Sequence, residues 1–298
     1  MPDDAKRKIL LFTSISLLLA TLLDVSALAF KMLESQILAL AWGIARMWSV
    51  TLSAIIVLTM SKESVIASLK RTLVIGKKQL IYYLLAPLVV YLALGVYVAL
   101  AVPTGSFDFN AYINVVYEAL RRQLPTMPVE TVRSLAVTAA YLEISVNAYI
   151  AALTINAFAA IGEELGWRGY LYQQLGNTPT LKNTLIIGTI WGLWHAPAIL
   201  LLGYNYQANR LPGVLLFTLL CISLTYPLLL LRSHSGSLLP AASLHGAFNA
   251  LWPLTLIATT LPADKREILL GLGVLGILSW TLFDIILHLT FKLNSRAR

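Results

Sequence analysis

Two adjacent glutamates, Glu163 and Glu164, lie five and four residues before Arg168 in the segment Gly-Glu-Glu-Leu-Gly-Trp-Arg-Gly-Tyr, residues 162–170. Glu164 and Arg168 share a helix face at this spacing and can form an ion pair. Glu163 points about 100° away and lacks that partner. A carboxylate in a partly dry site binds a proton more readily, as a general base near neutral pH needs. The spacing predicts Glu164–Arg168 as support and Glu163 as the base, and the alternative is an interfacial salt-bridge cluster.

A second group of residues is Trp191 and His195, followed by Pro197 within an apolar run. Proline inside a helix bends it and leaves a backbone carbonyl without its usual donor. A histidine beside such a break can face a water-filled cavity. The alternative is a core histidine whose hydrogen bonds are all satisfied.

The third group is His245, Gly246 and Asn249. His245 and Asn249 are four residues apart and therefore project from one helix face. Two neutral donors in this arrangement can hold a developing oxyanion, or they can form an interhelical hydrogen-bond patch. Gly246 would allow a neighbouring backbone to approach closely.

Other ionisable residues in apolar segments stand alone in the sequence. Each is expected to be an interfacial group or the partner of a neighbouring helix, with Asp24 and Arg46 pairing across the first two spans. The isolated residues are Asp24, Arg46, Glu118, Glu143, His234, Asp284 and His288.

The composition shows what must position these groups. Of 298 residues, 58% are hydrophobic and 12% are charged, whereas soluble domains carry roughly 25% charged residues. Lipid must therefore solvate most of the surface, which excludes a disordered chain, a coiled coil and a disulfide scaffold. The single cysteine, Cys221, cannot close an intrachain disulfide. The net charge of +8 requires no nucleic-acid partner, because membrane proteins gather basic residues on the cytoplasmic side.

The apolar runs predict an all-α, polytopic membrane bundle that forms a single domain over residues 1–298, with the chemical motifs within 160–250. About eight spans are expected, at 9–30, 37–60, 80–102, 134–161, 183–203, 211–231, 238–256 and 268–291. The first span has a basic prefix and contains Ala27-Leu28-Ala29, which resembles a signal-peptidase site. Because its apolar run is long, we expect a retained anchor.

Loop charges predict the orientation. With an inner N-terminus the inner segments hold 14 Lys and Arg and the outer segments hold 7, so both termini are expected in the cytoplasm and the three groups in the cytoplasmic half. Segment 61–79 is expected either to lie along the inner leaflet or to be a solvated connector. Residues 111–124 read as an amphipathic helix ended by Pro125 and Pro128, either a lid or a surface helix.

In this order, the three groups resemble the motifs of the CAAX prenyl endopeptidase family, also called the CPBP or Abi family of membrane proteases. Its first motif, Glu-Glu-x-x-x-Arg, is matched by Glu163, Glu164 and Arg168. Its second, an aromatic residue with His four later, is matched by Trp191 and His195, although Phe is commoner than Trp there. Its third, His-x-x-x-Asn or Asp, is matched by His245 and Asn249.

The resemblance implies an eight-helix enzyme whose site opens toward the cytoplasm and the inner leaflet. It implies that Glu163 and His195 activate water and that His245 and Asn249 hold the oxyanion, while Glu164 and Arg168 support the site. The alternative is a zinc site formed by Glu163, His195 and His245. Because no His-Glu-x-x-His occurs and Asn249 is a poor zinc ligand, we expect hydrolysis without a metal cofactor.

We compare three functions that these residues could serve. The first is an endopeptidase in the bilayer that cuts a peptide near the membrane, such as the C-terminal tail of a lipidated protein. The second is a non-catalytic scaffold or immunity protein that binds a peptide in the same cavity. The third is a transporter or channel, which the chain disfavours because it lacks paired repeats and interrupted helices in matching positions.

Overall fold

The computed structural model describes the backbone of residues 3–296 and the side chains of residues 3–290. Within those residues the chain consists of helices and connecting loops and contains no strand, which confirms the predicted helical bundle. The helices are α1 (Asp3–Ala29), α2 (Gln36–Met60), α3 (Val65–Thr72), α4 (Lys77–Ala101), α5 (Phe109–Gln123), α6 (Val129–Leu153), α7 (Ile155–Glu164), α8 (Leu181–Trp194), α9 (Arg210–Ser235), α10 (Leu239–Leu251), α11 (Leu254–Ile257), α12 (Ala263–Leu269) and α13 (Val274–Arg296).

Seven helical segments of the described chain are long and apolar enough to cross a bilayer. They are Asp3–Ala29, Gln36–Met60, Lys77–Ala101, Val129–Leu153, Leu181–Leu202, Arg210–Ser235 and Ala263–Thr290. The seventh predicted span, 238–256, has a different form. Its main helix, α10, has 13 residues, which is about 20 Å at 1.5 Å per residue and too short for a hydrocarbon core of about 30 Å. It is a buried core helix packed against α4, α6 and α7.

The fourth predicted span, 134–161, is wrong in its extent because the helix breaks inside it. Thr154 has φ −125° and ψ −103°, so α6 ends at Leu153 and α7 starts at Ile155. Gly246 of α10 lies against this break, where a Cβ would be 2.7 Å from the Ala157 nitrogen. The close approach predicted at Gly246 is therefore confirmed.

Helix α7 continues into a π-helical segment, Leu165–Leu171. Residues 162–172 are all buried. Gly162 and Gly166 lie directly on α2, since a Cβ on Gly166 would overlap the Val50 side chain. Glycines at this interface let the two helices approach closely, and π-helical turns often occur at functional sites.

The ends of the helices form two faces. The basic face holds the first turns of α1, segment 61–76 and the turns at 175–180 and 236–238. There Lys8 pairs with Glu63 at 3.0 Å, and the Leu238 N–H donates to the Thr72 carbonyl at 3.0 Å.

The opposite face holds segments 30–35, 102–108, 203–209 and 252–262. On this face the Asp108 N–H donates to the Ala258 carbonyl at 2.8 Å. The rings of Trp42 and Tyr204 lie 5.8 Å apart.

The two amphipathic segments form helices. Within 61–79, α3 begins after Ser64, whose side chain accepts from the Ala67 N–H, and its Lys70 and Arg71 are exposed beside exposed Ile66. The helix predicted at 111–124 is confirmed as α5, which Asp108 caps by accepting from the Asn110 N–H. Its role as a lid or a surface helix stays a prediction.

Candidate active site

Glu164 and Arg168 form the predicted ion pair. Arg168 Nη1 donates to Glu164 Oε1 at 2.9 Å, and neither side chain is exposed. Arg168 also donates from Nη2 to the Thr225 hydroxyl at 3.2 Å, and its guanidinium lies 4.3 Å from the centre of the Trp191 ring. Because removal of one partner of a buried pair leaves an uncompensated charge, this contact is a structural support of the site.

Glu163 is held through one carboxylate oxygen. Its Oε2 accepts from Trp191 Nε1 at 2.6 Å and from Trp167 Nε1 at 3.3 Å. Among the described residues Oε1 has no hydrogen-bond donor, and Glu163 lines a cavity. The carboxylate is thus fixed in direction while one oxygen stays available to a substrate or water. Sequence reasoning missed Trp167, although its position four residues after Glu163 is a usable signal.

His195 ends α8, where the helix breaks before Pro197. Its Nδ1 lies 2.9 Å from the Trp191 carbonyl oxygen. Since a carbonyl only accepts, Nδ1 carries the proton and the neutral ring has its lone pair on Nε2. The ring packs between Trp194 and Phe217, with centroid distances of 4.8 and 4.6 Å. The hydrogen bond and the ring packing thus fix the direction in which Nε2 points.

Asp24 and Arg46 form the predicted pair, with Arg46 Nε 2.9 Å from Asp24 Oδ1, and Trp42 Nε1 also donates to Asp24 at 3.1 Å. Arg46 does more than the sequence indicated. Its Nη2 donates to the Trp194 carbonyl at 2.7 Å, and its guanidinium lies 3.8 Å from the centre of the Trp194 ring. The Trp194 carbonyl, at the turn where α8 ends before Pro197, thus has a donor from α2.

His245 and Asn249 lie on one face of α10, as predicted. His245 Nδ1 donates to Glu164 Oε1 at 2.9 Å, which leaves Nε2 for the cavity. Asn249 is exposed, and among the described residues its side chain has no hydrogen-bond partner. Both residues line the same cavity as Glu163, so their unpaired polar atoms can meet a bound substrate.

This cavity has a volume of about 330 Å³ and brings together the four predicted catalytic residues with Trp191. Glu164 and Arg168 do not line it and support it from behind through His245 and Trp191. Its walls are Trp42, Gly43, Arg46, Met47, Glu163, Trp191, His195, Tyr204, Asn205, Phe217, Cys221, Leu224, His245, Phe248, Asn249, Trp252, Pro253, Leu256 and Leu272.

Sequence reasoning also missed the loop 203–209 at the cavity wall. Glu267 accepts from the Gln207 and Asn209 N–H groups, each at 2.9 Å, and the Tyr206 hydroxyl donates to the Leu272 carbonyl at 2.5 Å. These contacts fix Tyr204 and Asn205 beside the site. They join residues about sixty positions apart, and no local pattern marks them.

In the part of the chain with described side chains, no three His, Cys, Asp or Glu residues lie close enough together to hold a metal ion. His195 and His245 each use Nδ1 for a protein oxygen, which leaves Nε2 of both rings and Oε1 of Glu163 for the cavity. Hydrolysis without a metal cofactor stays a prediction.

Residues 145–251 match the family described as Type II CAAX prenyl endopeptidase Rce1-like. This match covers just over a third of the chain and supports the resemblance to the CAAX prenyl endopeptidase family that the three motifs carry. The matched segment contains Glu163, His195, His245 and Asn249, so the family match and the cavity coincide.

A curated relative is the CAAX prenyl protease 2 of Methanococcus maripaludis. It is 30% identical over 89 residues, which cover 25% of this chain and 33% of the relative. The chain thus matches about a third of that relative's length. No solved structure gives a significant match.

Proposed function

We propose that this protein is a membrane endopeptidase that hydrolyses a peptide bond with water activated by Glu163 and His195. The observation that carries the proposal is the hydrogen bonding of the Glu163 carboxylate. Two tryptophan N–H groups hold its Oε2. Oε1 has no donor among the side chains that the structure describes, and it lies in a cavity shared with His195, His245 and Asn249. A fixed carboxylate with one open oxygen suits a general base.

In the proposed reaction a water molecule lies between Glu163 Oε1 and His195 Nε2. One proton of the water moves to Glu163 as the new carbon–oxygen bond forms and the carbonyl electrons move to oxygen. The carbon–nitrogen bond then breaks, and the leaving amine takes that proton. The products are a carboxylic acid and an amine, so no further reactant is needed.

We assign the stabilisation of the oxyanion to Asn249 and His245. Asn249 donates from its amide, and His245 donates from Nε2 when the ring is protonated on both nitrogens. The buried Glu164 carboxylate accepts from His245 Nδ1 at 2.9 Å and so fixes the direction of Nε2. Arg168 and Glu164 therefore act on the substrate only through His245 and Trp191.

We propose that hydrolysis needs no metal, and the zinc-dependent form is the alternative that a chelation experiment decides. The substrate is proposed to be a peptide close to the bilayer, which includes the tail of a lipidated protein. The aromatic and aliphatic walls support this proposal, because they suit an extended apolar segment.

The test is hydrolysis of a set of apolar fluorogenic peptides by the purified full chain in lipid nanodiscs. Glu163→Gln should lower kcat by about 100-fold or more, since general base catalysis contributes about 10²–10⁴-fold. Glu118→Gln is the matched control, because Glu118 is exposed on α5. Hydrolysis by Glu163→Gln at the wild-type rate would refute the assignment of the base.

A further inference from the structure

A second cavity lies on the outside of the bundle, with α8 and α13 as its walls and α9 as its floor. We call it the α8–α13 groove. Its volume is about 630 Å³, which is the size of a small-molecule site. Among the described residues it shares none with the cavity of Glu163. Its lining residues are Pro179, Thr180, Leu181, Thr184, Leu219, Ile222, Ser223, Tyr226, Ile277, Thr281, Asp284, Ile285, His288 and Leu289.

The groove opens toward lipid. Leu181, Leu219 and Ile285, one from each of the three helices, are 73%, 40% and 51% exposed. All three lie in segments that are long and apolar enough to cross a bilayer. The surroundings of the groove are therefore hydrocarbon, and a molecule that fills it comes from the bilayer.

Asp284 supplies the charge in this groove. Its Oδ1 is buried, and its side chain has no hydrogen-bond partner among the side chains that the structure describes. The described lining contains neither Lys nor Arg. A carboxylate without a counter-charge is costly inside a membrane. The groove is therefore complementary to a cationic ligand.

Two hydroxyl groups of the lining can act only as acceptors toward a ligand. The Thr184 hydroxyl donates to the Thr180 carbonyl at 3.1 Å, and the Ser223 hydroxyl donates to the Leu220 carbonyl at 2.8 Å. Because each hydrogen is used within its own helix, each oxygen presents lone pairs to the groove. Together with the carboxylate of Asp284, these oxygens suit a cation that carries several N–H donors, which is a primary ammonium.

Tyr226 and His288 bridge α9 and α13 nearer the basic face. The Tyr226 hydroxyl lies 3.0 Å from His288 Nδ1. Whichever of the two groups donates, one hydrogen remains, on His288 Nε2 or on the Tyr226 oxygen. Asp284 lies one helical turn further in along α13, about 6 Å away. The groove thus presents a donor nearer the basic face and acceptors further in, which matches the phosphate and the ammonium of one headgroup.

The deeper part of the groove is apolar. Leu219, Ile222 and Ile277 line it, and Ile277 is seven residues from Asp284, about 10 Å along α13. Thr180, at the other end, lies at the basic face directly before α8. The polar groups therefore lie toward the basic face and the apolar ones toward the middle of the bundle, in the same order as the headgroup and chain of a lipid.

We infer that the α8–α13 groove binds a bilayer lipid with a primary ammonium headgroup, of the phosphatidylethanolamine type, from the leaflet at the basic face. The ammonium pairs with Asp284 and donates to the Thr184 and Ser223 oxygens, and one chain follows the apolar part of the groove. Phosphatidylcholine carries the same charges, but its nitrogen has no N–H to donate. The site lies outside the cavity of Glu163, so it does not depend on the proposed function.

The experiment is native mass spectrometry of the purified full chain with equal amounts of phosphatidylethanolamine and phosphatidylcholine of matched chain length. The wild type is compared with Asp284→Asn, which keeps the shape of the side chain and removes its charge. Glu143→Gln is the matched control, because Glu143 is an exposed carboxylate of α6 in a membrane-spanning segment and lies outside the groove.

We expect the wild type and Glu143→Gln to retain one phosphatidylethanolamine at least 10-fold more than phosphatidylcholine, and Asp284→Asn to lose this preference. Equal retention of the two lipids by the wild type would overturn the inference. A preference that survives in Asp284→Asn, or that Glu143→Gln also loses, would overturn it as well. Retention of a copurified membrane protein in place of the lipid, lost in Asp284→Asn, would assign the groove to a protein partner instead.

A second pair of variants tests the groove without a change of charge. Leu219→Trp fills its apolar part, whereas Leu215→Trp lies one turn earlier on α9, is 63% exposed in the wild type and does not line the groove. A lipid that binds the folded chain stabilises it. Addition of phosphatidylethanolamine to phosphatidylcholine nanodiscs should raise the unfolding temperature of the wild type and of Leu215→Trp by about 2–4 °C. It should leave Leu219→Trp unchanged, and an equal rise in Leu219→Trp would contradict binding in the groove.

Discussion

Arg46 donates to the main-chain oxygen of Trp194 at 2.7 Å, so a residue of the second helix fixes the turn that carries His195. Asp24 compensates the charge of Arg46 from the first helix at 2.9 Å. The half of the chain that carries no family motif therefore contributes directly to the geometry of the site. His195 is positioned by α1 and α2 as well as by its own helix.

Arg46→Lys should lower kcat by about 10- to 100-fold, because a hydrogen bond to a charged group contributes about 1.5–3 kcal/mol. A lysine ammonium cannot reproduce both the planar stacking on Trp194 and the donation to its carbonyl. Steady-state hydrolysis measures this, with exposed Arg122→Lys on α5 as the matched control. An unchanged kcat in Arg46→Lys would show that His195 does not depend on this contact.

Trp191→Phe should reduce kcat/KM by about 10-fold or more, because it removes the 2.6 Å donor to Glu163. The phenylalanine ring retains packing against Arg168. Trp167→Phe should have a smaller effect, since its contact with Glu163 is 3.3 Å. The two variants are compared under identical conditions, and a larger loss in Trp167→Phe would contradict the assigned geometry.

Glu164→Gln should destabilise the protein by about 3–5 kcal/mol, because it leaves the buried Arg168 guanidinium without its counter-charge. The double variant Glu164→Gln with Arg168→Gln should be more stable than Glu164→Gln alone. The measurement is thermal unfolding of each variant in the same lipid. Additive losses in the double variant would mean that the pair contributes nothing as a pair.

Gly246→Ala should lower both stability and activity, because the new methyl group would lie 2.7 Å from the Ala157 nitrogen and displace α10 with His245. Gly95→Ala in α4 is the control, since a Cβ there meets nothing within 4 Å. Thermal unfolding and kcat are measured for both. Equal behaviour of the two variants would show that the close approach at Gly246 is not needed.

Local spacing predicted much of the site. The four-residue separations placed Glu164 with Arg168 and His245 beside Asn249, because helix periodicity alone decides which side chains share a face. The pairing of Asp24 with Arg46 followed from the rarity of charge inside spans. These contacts depend either on helix periodicity or on the small number of charged residues inside spans, and both can be read from a sequence.

Other features depend on tertiary contacts and could not be predicted in the same way. The break at Thr154 has neither proline nor glycine at its centre, and it lies where Gly246 of another helix packs. The short α10 was predicted as a membrane span because the sequence of a buried core helix is as apolar as that of a lipid-facing helix. The link from Arg46 to Trp194 joins residues 148 positions apart.

The most direct test of the central claim is hydrolysis in ¹⁸O-labelled water with a strong chelator present, followed by mass spectrometry of the released acid. Glu163 and His195 are proposed to activate water, so the wild type should keep its rate and place one ¹⁸O atom in each new carboxyl group. Glu163→Gln should reduce that incorporation by about 100-fold while its unfolding temperature stays unchanged. Loss of wild-type activity on chelation, or undiminished incorporation by Glu163→Gln, would contradict the account.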